Sequence, residues 1–151
     1  MFKFGGKPNA NFYIRNIANT LRYIEDEKLS PYHITNQQAR ILGAIRRSIH
    51  DGHVISRSYL QEIMQLSGPS ITSLLNGLEK NDFIKRTPAK NDKRSMQIEL
   101  TKKGEDVVKY ANEILLEVEH SLLDNMSEKE KDELISLLHK AFLNISPDAE
   151  G

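Results

Sequence analysis

The sequence predicts a mainly α-helical protein with one small β-hairpin, an α+β class. Apolar residues recur every three to four positions in six segments, which is the spacing of one helical face. Two short segments, residues 83–87 and 96–100, instead alternate apolar and polar side chains, as half-buried strands do. Ser or Thr residues stand where several helical segments begin, and their hydroxyls can cap free backbone amides there.

Length and composition limit the class of protein. At 151 residues the chain can bury a substantial core, as one domain or as two small packed lobes. It contains no cysteine, which excludes disulfides, thiol catalysis and cysteine-based zinc sites. No apolar run approaches the roughly 20 residues of a membrane helix, and the first residues lack the apolar core of a secretory signal. We therefore expect a cytoplasmic protein with no membrane partner.

Positive and negative charges are separated along the chain, although the formal net charge is zero. Residues 80–103 include eight basic and three acidic side chains, a local charge of +5. Residues 104–151 include twelve acidic and four basic ones, a local charge of −8. Such a protein would present one face, and not the other, to a polyanion. The alternative is solvated charge without a binding role, which is common on helical surfaces.

The first two predicted helices follow an arm that contains glycine and proline. Residues 11–27 should form the first helix, which stops before Pro31. Thr35 and Gln38 form a capping-box pattern, so a second helix should begin there and run to about His50.

The middle of the chain predicts two short helices joined by a tight turn. Ser56 or Ser58 would open the third helix, and Ser67 or Gly68 would cap the fourth. The fourth helix places its apolar residues on one face and small hydrogen-bonding side chains on the other. A helix with such a face, followed by a basic hairpin, is suited to double-stranded DNA. The helix fits the major groove, and the hairpin reaches the backbone or minor groove beside it.

The first, fifth and sixth helices carry wide apolar stripes. Thr101 should cap the fifth helix, and Ser127 with Glu130 forms a second capping box that opens the sixth. A fifth helix of about 20 residues would span about 30 Å and overhang the central module. Since a second copy of the chain is the simplest cover, we expect a two-fold homodimer that matches a palindromic DNA site. Residues 1–34 and 102–151 would then form the dimerisation region, around a DNA-binding domain at residues 35–101.

These residues together resemble the MarR family of winged helix-turn-helix transcription regulators. The resemblance is most specific at residues 66–80, which are similar to the family's turn and recognition helix. It is equally specific at Asp92-Lys93-Arg94 and at Leu100-Thr101-x-x-Gly104, which are similar to the wing signature and the return into the dimer helix. The resemblance implies recognition helices in successive major grooves and wings in the flanking minor grooves.

The same resemblance assigns roles to the wing. Arg94 would enter the minor groove, where a guanidinium suits a narrow and negative site better than an ammonium does. Asp92 would brace the wing by orienting a neighbouring arginine; alternatively, it only forms the turn.

The sequence also departs from the family pattern. Gly77 stands where the family often has arginine, Asp82 where it often has glycine, and Gln61 and Gln65 where alanine and glycine are common. Gly77 costs about 1 kcal/mol of helix stability relative to alanine and leaves the recognition helix poor in charge, so affinity should shift toward the wing. The expected DNA contacts are Ser70, Thr72, Ser73, Asn76 and Lys80 on the helix and Lys90, Asn91, Asp92, Lys93 and Arg94 on the wing.

The family further implies a small, often aromatic, effector. Aromatic residues that could line its crevice are Phe12, Tyr13, Tyr23 and Tyr32, although they serve equally well as core residues. A metal site is conceivable at His50-Asp51-Gly52-His53 or at Glu117 and His120. Surface histidines explain these residues better, and we expect no metal and no cofactor.

The sequence thus predicts a dimeric, sequence-specific DNA-binding regulator, most simply a ligand-responsive repressor. It contains no phosphate-binding loop and no nucleophile beside a base, so we expect no enzymatic activity. Two alternatives stay open. One is a winged-helix module for protein–protein contact or scaffolding, and the other is a global regulator without an effector.

Overall fold

The computed structural model describes residues 6–89 and 92–146, with the backbone alone for residues 89 and 92–96. The elements, in chain order, are α1 (Ala10–Leu29), a 3₁₀ turn (Ser30–Tyr32), α2 (Asn36–His50), α3 (Arg57–Met64), α4 (Gly68–Lys80), β1 (Ile84–Ala89), β2 (Asp92–Leu100), α5 (Lys102–Leu122) and α6 (Glu128–Ile145). This order confirms the predicted mainly α class with one β-hairpin. The chain divides into two compact units, Met1–Leu116 and Glu117–Gly151. Within the described ranges, every helix is too short or too polar to span a bilayer.

Side-chain caps set the helix starts. The hydroxyl of Thr35 accepts from the Gln38 amide at 3.2 Å, and the Gln38 side chain accepts from the Thr35 amide at 3.0 Å, which confirms the predicted capping box. Of the two candidates for α3, Ser56 is the cap, accepting from the Tyr59 amide at 3.0 Å. Ser67, not Gly68, caps α4. Each such cap stabilises a protein by about 0.5–2 kcal/mol relative to alanine.

The core of the first unit lies where α2, α3 and α4 pack together with the hairpin and the first half of α5. Its fully buried side chains include Leu29, Ile41, Leu42, Ile45, Leu60, Ile71, Leu75, Leu78, Phe83, Ile84 and Val108. Burying one large aliphatic side chain contributes about 1.5–3 kcal/mol. This core holds α4 against α2 and α3, and leaves the opposite face of α4 exposed.

The hairpin is longer than the sequence predicted. β1 and β2 pair antiparallel, with Ile84 opposite Leu100 and Arg86 opposite Ile98, and the register shifts between Pro88 and Ala89. Proline has no amide hydrogen for the ladder, so a bulge suits that position. The stretch between the two predicted strands was too long, because both observed strands extend into it.

The first strand begins at Ile84 and not at Phe83 as predicted. The carbonyl oxygen of Phe83 accepts instead from the amide of Thr101 at 3.1 Å, and the hydroxyl of Thr101 donates to the Asp82 carbonyl at 2.6 Å, with the Phe83 oxygen 3.2 Å away. The same hydroxyl accepts from the amide of Gly104 at 3.0 Å, which confirms Thr101 as the cap of α5. A Cβ at Gly104 would overlap the Phe83 carbonyl oxygen, so the first turn of α5 approaches this backbone as only glycine permits.

The second unit contains α6, which Ser127 and Glu130 open with the predicted capping box. None of the residues of α6, all of which the structure describes, is buried. Leu137 is 63% exposed and Phe142 42%. The described residues of the second unit therefore leave the apolar face of this helix uncovered.

Candidate nucleic-acid interface

The turn between α3 and α4 orients the predicted recognition helix. Gln65 ends α3 in the left-handed conformation at φ 53°, and the amide of Leu66 donates to the Gln61 carbonyl at 3.2 Å. The hydroxyl of Ser67 then accepts from the Ser70 amide at 3.3 Å and starts α4. Left-handed backbone favours glycine, which explains physically why glycine is common at this position in the resembled family.

The outward face of α4 carries the predicted DNA-contact residues. Ser70, Ser73, Asn76 and Lys80 are exposed, and Thr72 is half-buried. A helix of this kind offers hydroxyl, amide and ammonium groups to a partner without large apolar side chains. Their role in DNA contact stays a prediction.

Asn76 belongs to a side-chain network that joins α4 to β1. The guanidinium of Arg86 donates through Nη2 to Oδ1 of Asn76 at 2.7 Å. It also donates to both carboxylate oxygens of Glu79, from Nε at 3.1 Å and from Nη2 at 3.3 Å. The side-chain hydrogen bond from Arg86 holds the pKa of Glu79 below its usual 4.5. Desolvation opposes this shift, and the charge of Arg86 adds a still smaller contribution to it.

Sequence reasoning missed this role of Arg86 and counted it only as one of the basic residues. The alternation of β1 places Arg86 on the same face as buried Ile84, and its side chain is only 22% exposed. An arginine on the inner face of a strand was the available signal. Its partner could not be read from periodicity, because Glu79 and Arg86 lie on different elements.

Gly77 lies on the side of α4 that faces α2. A Cβ there would lie 2.9 Å from Nε2 of Gln38, the glutamine of the α2 capping box. A larger side chain at this position must therefore displace Gln38.

Part of the positive charge of residues 80–103 is used within the protein. The ammonium of Lys103 donates to the Asn81 carbonyl at 2.8 Å and lies 4.9 Å from the centre of the Phe83 ring. A cation at the carboxyl end of α4 is favourable because the helix dipole is negative there. Lys90 and Asn91 fall outside the described residues, as do the side chains of Asp92, Lys93 and Arg94. Their predicted contacts stay predictions.

The four aromatic residues predicted for an effector crevice are placed differently from one another. The rings of Phe12 and Tyr13 meet edge to face at 5.4 Å, and Tyr23 is 69% exposed. Tyr32 stacks on Tyr110 of α5 at 5.1 Å, a partner that the sequence did not indicate.

Two clefts of the first unit are lined by other residues than these aromatics. The larger, of about 860 Å³, is lined by Arg46, Arg47, Ile49, His50, Asp51, Ile98, Glu99, Leu100 and Glu105. The smaller, of about 460 Å³, lies beside His53 and Tyr59.

His50 contacts Asp51 through Nδ1 at 3.2 Å. Among the described residues, no group of three or more His, Asp or Glu side chains is arranged to hold a metal ion.

Comparison with known proteins identifies the family. A family model described as the MarR family matches residues 32–95. The chain is 31% identical to the HTH-type transcriptional regulator PecS of Dickeya dadantii over 113 residues, which cover 75% of this chain and 68% of PecS. It is 32% identical to the uncharacterized HTH-type transcriptional regulator YwhA of Bacillus subtilis over 119 residues, which cover 76% of this chain and 80% of YwhA.

Solved structures share the fold. The structure of S. aureus MepR in a DNA complex aligns with a TM-score of 0.81 and 28% identity, covering 91% of this chain and 96% of MepR. A mutant of E. coli MarR complexed with operator DNA aligns with a TM-score of 0.76 and 24% identity, covering 87% of this chain and 91% of that one. These matches confirm the predicted winged helix-turn-helix, and the chain belongs to the MarR family of transcription regulators, which are not enzymes.

Proposed function

We propose that this protein is a homodimeric repressor that binds palindromic operator DNA. The observation that carries the proposal is the exposed face of α4, on which Ser70, Ser73 and Asn76 stand beside the basic hairpin. Small polar side chains on a helix of this size can approach base edges in the major groove. The likeness to MepR, whose structure is of a DNA complex, supports the same assignment.

Base contacts and phosphate contacts should come from different residues. Ser70, Thr72, Ser73 and Asn76 would read bases, whereas Lys80 and the wing residues Lys90, Lys93 and Arg94 would contact the backbone or minor groove. Phosphate contacts position the protein and supply most of the salt-dependent affinity.

Exposed apolar side chains in both units support the homodimer. In α6, Leu138 is 45% and Ile145 is 83% exposed, and in α1, Ile14 is 46% and Ile17 is 42% exposed. Apolar helix faces of this kind are expected to be covered by a partner. A two-fold dimer would present its two recognition helices to half-sites about 34 Å apart, one turn of DNA.

Repression would be relieved by a small aromatic ligand. The ligand would bind more tightly to a dimer whose recognition helices are wrongly spaced for the operator, and would favour that conformation. Operator affinity would then fall to the extent that the ligand's affinities for the two conformations differ. Phe12, Tyr13, Tyr23 and Tyr32 are the proposed contacts. Isothermal titration calorimetry with a panel of small phenols would report binding directly. A ligand that binds without changing operator affinity would speak against this mode of release.

The decisive experiment measures binding to duplex DNA across a salt series. Affinity should fall steeply with salt, and Arg94→Ala should reduce the log–log slope by about 1 if that side chain contacts a phosphate. Lys109→Ala, which removes one charge from α5, is the control and should leave the slope unchanged. A slope near zero for the wild type would reject DNA binding and favour the protein-contact alternative.

A further inference from the structure

The side-chain amide of Asn76 is held in one orientation. Nη2 of Arg86 lies 2.7 Å from it, and a guanidinium can only donate hydrogen bonds, so the atom facing Arg86 is the oxygen Oδ1. Arg86 is in turn anchored by its two hydrogen bonds to Glu79 and by partial burial, at 22% exposure of its side chain. The amide therefore cannot flip without losing a charge-assisted hydrogen bond.

This orientation determines what Asn76 presents to a partner. Because the side chain is exposed and Oδ1 faces Arg86, the amide nitrogen Nδ2 is the outward group, and it donates. An unconstrained asparagine reads adenine by donating to N7 and accepting from the N6 amino group. Oδ1 retains a second lone pair, but the guanidinium beside it repels the positive hydrogens of an amino group. Guanine, which offers the acceptors N7 and O6 on the same edge, has no such conflict.

We propose that Arg86 is a positioning residue that turns Asn76 into a donor, so that this position of α4 reads guanine and discriminates against adenine. The proposal rests on the proposed DNA binding and adds the class of base edge that is read. It also separates Arg86 from the other basic residues of the hairpin, because its charge acts through Asn76 and not on a phosphate.

Selection from a random duplex library tests the proposal. Comparing wild type with Asn76→Ala identifies the base pair that this residue reads. It is the position in the DNA site at which the variant loses the base preference of the wild type. At that position the wild type should select guanine over adenine by about tenfold. Arg86→Met frees Oδ1 and should shift the preference toward adenine. Lys85→Met removes the same charge from the neighbouring residue, on the opposite face of β1, and should keep guanine.

A second variant covers the case in which Arg86→Met does not fold, as judged by circular dichroism. Asn76→Asp keeps an acceptor for Arg86 but replaces the outward donor by an acceptor, so its preference should move to cytosine, whose N4 donates. Selection of adenine by the wild type would overturn the proposal, as would unchanged preferences in folded Arg86→Met or in Asn76→Asp. So would the absence of any position that depends on Asn76. Salt-independent binding without enrichment of any sequence would instead reject the proposed function itself.

Discussion

Replacing Gly104 by alanine should destabilise the fold more than the same substitution at Gly43, Gly68 or Gly77, the other helical glycines that the structure describes. The new Cβ would overlap the Phe83 carbonyl oxygen and lie 3.0 Å from the carbonyl carbon. Both are rigid backbone atoms, so α5 must move away from the start of the hairpin. That movement stretches the bond from the Thr101 amide to the Phe83 oxygen, now 3.1 Å, and the bond from the Thr101 hydroxyl to the Asp82 oxygen, now 2.6 Å.

The expected loss follows from those contacts. Each hydrogen bond contributes about 0.5–1.5 kcal/mol, and overpacking of a tight site typically costs 1–3 kcal/mol. Because the strain is relieved only by breaking the bonds, the two costs are not additive, and we expect about 3 kcal/mol in total. Urea unfolding followed by circular dichroism, at one protein concentration for all variants, measures it.

Gly43→Ala is the matched control. Gly43 lies inside α2, and a Cβ there would meet nothing within 4 Å among the described residues. The same substitution should therefore stabilise the protein by about 0.5–1 kcal/mol through helix propensity and the unfolded-state entropy. Unfolding of Gly104→Ala at the same urea concentration as wild type would refute the steric argument. Destabilisation by both variants to the same extent would refute it too.

Three further predictions concern caps, backbone strain and titration. Ser56 caps α3, so Ser56→Ala should lower the free energy of unfolding by about 1 kcal/mol, whereas Ser58→Ala should change that free energy by less than about 0.5 kcal/mol. Equal effects of the two substitutions in urea unfolding would contradict the assigned cap. Asp82→Gly should raise the free energy of unfolding by about 0.5–1 kcal/mol, because Asp82 has a left-handed φ of 63°; a loss of stability on thermal unfolding would show that its side chain matters more. In an NMR titration the Glu79 carboxyl should ionise below its usual 4.5, and Arg86→Met should return its pKa toward that value. A carboxyl pKa that is lower in the folded than in the unfolded state stabilises the folded state at pH values above the unfolded pKa. This contribution should be lost as the pH falls through the folded pKa of Glu79. A Glu79 pKa that Arg86→Met leaves unchanged would exclude the ion pair in solution.

Features that depend on neighbouring residues were predictable from the sequence. The capping boxes of Thr35 and Ser127 and the stop before Pro31 all rest on contacts within about four residues, for which spacing and residue type suffice. The two faces of α4 were predictable for the same reason, because helical periodicity alone separates them. The position of the wing was also predictable, but its strand ends were not, because pairing with the other strand extended them.

Tertiary structure decided which of these polar groups is available to a partner. Arg86 and Lys103 look alike in the sequence as basic residues near the hairpin, yet one orients Asn76 and the other caps α4 at Asn81. Their partners lie ten and 22 residues away on other elements. Such contacts depend on how α4, β1 and α5 pack on one core, and no local pattern encodes that packing. The sequence by itself therefore determined the helices, their capping boxes and the family; the packing determined which atoms of the recognition helix face outward.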